Sequence, residues 1–87
     1  VKEAHVGYHK KKIDRYPFGT AYKIKEECEE LLDAYEQQAS ILMLCELADL
    51  YGAMEGFLTE RFPGIGMSDI RQMSNLTRSA FLEGERK

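Results

Sequence analysis

The stretch whose reading decides the fold is Ile41–Met54, ILMLCELADLYGAM. Its only charges are Glu46 and Asp49, both acidic and three residues apart, with no Lys or Arg among them. A helix through this stretch is apolar nearly all round, and such helices are either enclosed by other helices or span a membrane. Its fourteen residues fall short of the ~20 that a bilayer requires. Two further helices cannot enclose it fully, so a second subunit is expected to complete the enclosure.

Working outward, Ser40 is a candidate N-cap for a helix from Ile41 to about Phe62. Pro63-Gly64-Ile65-Gly66 ends that helix, and Arg61 suits the dipole of its last turn. Upstream, Thr20 can cap a helix from Ala21 to about Gln37, in which Ile24, Cys28, Leu31 and Tyr35 recur at helical spacing. The short link Gln37-Gln38-Ala39 makes the two helices antiparallel neighbours. Downstream, Ser68 and Asp69 open a third helix that carries Ile70, Met73, Ala80 and Phe81 inward and closes at Gly84.

Residues 1–19 show neither period, end in the breakers Pro17 and Gly19, and read as an extended arm. The arm holds both histidines, His5 and His9, and the basic residues Lys10, Lys11, Lys12 and Arg15. Strand signals are poor throughout. The expected fold is all-α: an antiparallel helical hairpin plus a third helix, reaching a four-helix-bundle-like core through oligomerisation. It forms a single domain over 1–87, with an arm at 1–19, the hairpin at 20–62 and the C-terminal helix at 68–83.

Composition sets the outer bounds. Eighty-seven residues allow one domain, and folds this small often depend on oligomerisation, metals or disulfides. With 44% hydrophobic and 31% charged residues the chain is globular rather than disordered. A formal net charge of −3 argues against general nucleic-acid binding, which needs a basic face. Nothing at the start has the pattern of a secretory signal, and Val1 in the first position implies a missing initiating residue or short leader. Cys28 and Cys45 make no C-x-x-C and no disulfide framework, and read as buried reduced thiols. The expected setting is cytoplasmic, with no membrane partner.

The first helix carries KEECEELLDAYE. At ~100° per residue, Glu27 falls inside the apolar stripe between Leu31 and Ala34, Glu30 at its edge and Glu26 just beyond. Glu29 and Glu36 fall opposite, and Glu26, Glu29, Asp33 and Glu36 are expected to face water or pair with Lys and Arg. On the second helix Glu46 and Asp49, three apart, share one face at ~5–6 Å. The hairpin can bring both pairs opposite one another, gathering four carboxylates in an apolar surround. Burying unpaired carboxylates costs several kcal/mol each, so protons or cations must neutralise the cluster.

An all-oxygen set without His or Cys suits Mg²⁺, Mn²⁺ or Ca²⁺ rather than zinc. A di-iron carboxylate bundle would place Glu-x-x-His on its helices, and neither His5 nor His9 falls on one. Mg²⁺ keeps positions open for water and substrate phosphates, which points to phosphate chemistry.

Glu26-Glu27-Cys28-Glu29-Glu30, followed after fifteen residues by Glu46-Leu47-Ala48-Asp49, resembles the E-E-x-x-E … E-x-x-D signature of the MazG-like, all-α nucleoside triphosphate pyrophosphohydrolases. The resemblance runs from about Ile24 to Leu58 and touches the third helix only in general character. The compact length and the tail MSNLTRSAFLEGER resemble phage-encoded members, for which the setting would be the host cytoplasm. It implies Mg²⁺-dependent cleavage, with Mn²⁺ a possible substitute, between the α- and β-phosphates of a nucleotide, giving the monophosphate and pyrophosphate. By motif position Glu27, Glu30, Glu46 and Asp49 would hold the metal. Glu26 would be an accessory acid in the outer shell or orienting the attacking water. A homodimer or dimer of dimers is expected.

Candidate phosphate-binding cations are Lys10, Lys11, Lys12, Arg15 and Lys23 before the motif, and Arg71 and Arg78 after it; Asn75 and Arg78 best match the family's later polar positions. The base could stack on Tyr8, Tyr16 or Phe18, with His5 or His9 hydrogen-bonding to it. Tyr35, Tyr51, Phe57, Phe62 and Phe81 are expected in the core or a subunit interface, as are Met43, Met54, Met67 and Met73. Gly52 and Gly56 suggest a close helix approach. Two rivals stand beside the hydrolase: a non-enzymatic helical interaction or scaffold module with an acidic groove, and an idle relative that binds nucleotide as a sensor.

Overall fold

The Thr20 hydroxyl accepts a hydrogen bond from the Lys23 backbone N–H at 3.3 Å and so starts helix α1, Ala21–Glu36, in the expected capping arrangement. A computed structural model of the chain describes residues 9–83. Within them lie α1, α2 over Ser40–Arg61 and α3 over Met67–Leu82, with no strand. The described chain is all-α. His5, Tyr8 and Gly84 fall outside the described residues.

Two caps differ from expectation. Ser40 is the first residue of α2 rather than its cap, and Ala39 before it offers no side-chain hydrogen bond. Helix α3 starts at Met67, one residue before Ser68. There the Asp69 carboxylate accepts from the Gly66 N–H at 2.9 Å, which satisfies a backbone donor at the helix start.

The turn between α1 and α2 is a Schellman closure. Gln38 N–H donates to Tyr35 O at 3.0 Å and Ala39 N–H to Ala34 O at 3.1 Å. Gln38 itself takes φ 58°, a left-handed conformation usually left to glycine. This turn centres the hairpin and sets which residues face each other. Glu30 and Glu46 each lie eight residues from Gln38, and Glu27 and Asp49 each lie eleven. In an antiparallel pair, residues equidistant from the turn share a level. At 1.5 Å per residue the two acidic levels are ~4.5 Å apart along the hairpin.

The interior of this hairpin is acidic. Glu26, Glu27, Glu30, Asp33 and Glu46 are buried, whereas the buried apolar side chains are Ala34, Ala53 and Leu58. On the opposite side of α2, Ile41 is 75% exposed, Leu44 63% and Tyr51 50%. Helix α3 contributes no buried residue. The residues expected in a core or an interface that are exposed in the single chain include Tyr35, Tyr51, Phe62, Met73 and Phe81. The enclosing subunit that the sequence calls for would have to cover this outer face.

Of the acids expected to face water or pair with Lys and Arg, Glu26 pairs with Lys23 at 2.9 Å but is buried, as is Asp33. Both are buried because the arm lies over them. The Lys10 N–H donates to Asp33 Oδ2 at 3.0 Å and the Tyr16 N–H to Glu26 Oε1 at 2.7 Å. Further along, the Phe18 ring covers Gly56, where an added Cβ would come within 2.3 Å of it. The arm ends at Gly19, φ 93°, set against the Glu60 side chain. Gly56 thus accommodates the arm's aromatic ring rather than a second helix, and a Cβ on Gly52 would meet nothing within 4 Å. Glu36 is exposed and pairs with Lys11 at 2.7 Å, and Glu29 reaches Lys25 at 4.0 Å, both as expected.

Candidate metal centre

The hairpin levels deliver Glu27, Glu30, Glu46 and Asp49 to one place. One carboxylate oxygen from each lies within 4.8 Å of the others, with the first three buried and Asp49 half-buried. Around an octahedral ion with bonds of ~2.1 Å, opposite ligands stand ~4.2 Å apart. Oxygens this close together could hold a metal ion, and this is the set the sequence singled out.

Two further side chains lie against these acids. The Lys23 ammonium lies 2.9 Å from Glu26 Oε2 and 3.4 Å from Glu27 Oε2. Glu26 holds Lys23 with one oxygen and the Tyr16 N–H with the other. It ties the arm to α1 and stands outside the group of converging ligand atoms.

The other neighbour is His9, which the sequence had offered only as a contact for a nucleobase. It lies off the helices, as expected, yet its ring reaches the carboxylates. Its Nδ1 is 2.8 Å from Asp33 Oδ2 and its Nε2 is 3.0 Å from Glu46 Oε2 and 3.7 Å from Glu30 Oε1. Burial pushes the Asp33 carboxyl up, but hydrogen bonds from His9, the Lys10 N–H and the Gln37 amide outweigh it and hold it below the usual range. An ionised Asp33 is an acceptor only, so Nδ1 is the donor in this pair. The four-carboxylate group is all-oxygen, as expected, and the His9 ring nitrogen makes a second group with Glu30 and Glu46. Sequence reasoning missed His9 and Asp33 because an arm without periodicity gives no register against the helices. The faint signal was that both histidines preceded an acidic hairpin.

Beside the carboxylates opens a cavity of about 240 Å³. Glu27, Asp49 and Lys23 supply its polar edge, Ala48, Gly52 and Ala53 its floor, and Phe18 an exposed aromatic wall. The remaining expected binding residues are not gathered here. Lys12 lines a separate pocket with Lys11, Ile13 and Glu29. Arg15 is exposed on the arm, and Asn75 and Arg78 are exposed on α3. Tyr16 stacks obliquely on Tyr22 at 5.6 Å between ring centres, away from the cavity lining.

No family model, curated protein or solved structure matches this chain. No helix among the described residues is long and apolar enough to cross a membrane.

Proposed function

We propose that this chain is a MazG-like, Mg²⁺-dependent nucleoside triphosphate pyrophosphohydrolase, with Mn²⁺ able to replace Mg²⁺, that releases pyrophosphate and a nucleoside monophosphate. The observation that carries the reading is the convergence of Glu27, Glu30, Glu46 and Asp49 at two adjacent levels of one hairpin, beside a cavity. Bound divalent cations would neutralise triphosphate charge and acidify a coordinated water. The chain's own part is to hold four oxygens in a small space and to exclude bulk water from three of them. Lys23, kept at the cavity edge by Glu26 and Glu27, would meet phosphate oxygens there. Phe18 offers a face on which a base can stack. The apolar surface that α2 exposes at Ile41, Leu44, Leu47 and Tyr51 suits a second copy of the chain, as a homodimer or dimer of dimers.

A second reading has its own support. His9, Lys10 and Lys23 already bond to the buried acids, so the groove can serve as the arm's docking seam in a non-enzymatic module. Pyrophosphate release across a panel of nucleotides, with Mg²⁺ and nucleotide titrated into wild type and Glu46→Gln, separates the readings. Release that Glu46→Gln abolishes supports the hydrolase. Binding of both without release marks a sensor, and binding of neither marks the docking seam.

A further inference from the structure

The ring of His9 opens a site that the acidic motif alone does not contain. Its side chain is only 6% exposed, and it enters the cluster from the arm rather than from either helix of the hairpin. The Nδ1–H is fixed by Asp33, which is itself held by the Lys10 N–H and the Gln37 amide. That fixes the ring's orientation and turns Nε2 toward Glu46 and Glu30. A histidine whose far nitrogen is locked by a carboxylate, with the near nitrogen facing further carboxylates, is the arrangement by which proteins prepare imidazole as a metal ligand. His9, Glu30 and Glu46 each bring one ligand atom within 4.8 Å of the others, in a group distinct from the four-carboxylate one and sharing two of its members.

We infer that His9, Glu30 and Glu46 form a second cation subsite, selective for a first-row transition ion, fused to the four-carboxylate site through Glu30 and Glu46. Each shared carboxylate has two oxygens and so can serve both ions, at the ~3.5–4 Å spacing of two-metal centres. An imidazole nitrogen favours Mn²⁺, Fe²⁺, Co²⁺ or Zn²⁺ over Mg²⁺, which prefers oxygen. The two subsites therefore differ in preference: oxygen-only on the Asp49 side, mixed nitrogen and oxygen on the arm side. Asp33 is a positioning residue for this ligand. The inference deepens the metal-dependent reading above and rests on the same carboxylates, but it concerns ion binding rather than hydrolysis.

The test uses the full chain with Mn²⁺ as the probe. Pulsed electron paramagnetic resonance of the loaded wild type should show hyperfine coupling to an imidazole nitrogen, and a titration should reach two ions per chain. His9→Gln should lose the coupling and one ion, with the preference for Mn²⁺ over Mg²⁺ falling at least ~10-fold. Asp33→Asn should keep the coupling while weakening Mn²⁺ by ~10-fold, the usual size of an outer-shell effect. Absence of nitrogen coupling in the wild type overturns the inference, with no variant needed. So does coupling that survives in His9→Gln, which would assign it elsewhere in the chain. Coupling without any pyrophosphate release leaves the subsite standing and removes the hydrolase reading, whereas release without coupling does the reverse.

Discussion

The two faces of α2 invert the usual order of a small protein. The face turned toward α1 presents Glu46 and Asp49, with Ala53 and Gly56 further along, while the face turned outward presents Ile41, Leu44, Leu47 and Tyr51. Hydrophobic burial normally drives folding and charges stay wet. Here the hairpin gathers charge inside and leaves its apolar surface out. The inner face sets partners against its acids, Lys23 on Glu26 and Glu27 and the His9 ring on Asp33 and Glu46, because a desolvated carboxylate without compensation costs several kcal/mol. The outer face leaves its apolar side chains exposed.

The harshest way to break the comparison is at the inner face. Glu46→Gln removes a fully buried carboxylate common to both groups of ligand atoms. Pyrophosphate release should fall by more than ~100-fold, since even outer-shell partners of metals are worth ~10–100-fold. The same variant should lose the thermal stabilisation that divalent ions confer while melting no lower than wild type in chelator. A variant that kept both activity and the metal-dependent shift would dissolve the contrast between the faces.

Metal removal is the next lever. At a free Mg²⁺ concentration 100 times its dissociation constant, the folded chain should gain ~2.7 kcal/mol over the chelated form. Thermal melts with Mg²⁺ and with chelator measure this directly. Equal melting temperatures would mean that the arm and Lys23 already satisfy the acids.

The outer face is probed by a single charge. Leu44→Glu should weaken self-association at least ~10-fold, about 1.4 kcal/mol, with no change in metal binding per chain. Sedimentation velocity over a dilution series reads the first quantity and calorimetry the second. A wild type that stays monomeric at every concentration would leave the apolar face to some other partner. The smallest effect belongs to the turn that aligns the acidic levels. Gln38→Gly relieves a left-handed φ of 58° and should add about 0.5–1 kcal/mol in a denaturant titration, without altering metal affinity.

Local signals in the sequence match the helices of the hairpin. Hydrophobic spacing and the Thr20 cap locate α1, and α2 and α3 begin at Ser40 and Met67, each one residue before the expected first residues Ile41 and Ser68. Convergence of Glu27, Glu30, Glu46 and Asp49 was legible because short-loop hairpins fix register locally. What escaped was non-local. A helical wheel puts Glu26 just beyond the edge of the apolar stripe, and its burial goes with the arm's Tyr16 N–H and the Lys23 ammonium. Asp33 reads as a surface acid until His9 and Lys10 are placed over it. Tyr35 and Phe81 look like core residues because helical spacing records amphipathicity without saying whether the chain's own helices or another copy covers the face.

The most direct test of the central claim is crystallographic. Crystals grown with Mn²⁺ should show anomalous density bounded by Glu27, Glu30, Glu46 and Asp49, at the two hairpin levels eight and eleven residues from Gln38. Anomalous density confined to surface carboxylates such as Glu36 or Glu60, with the hairpin interior unchanged, would contradict it.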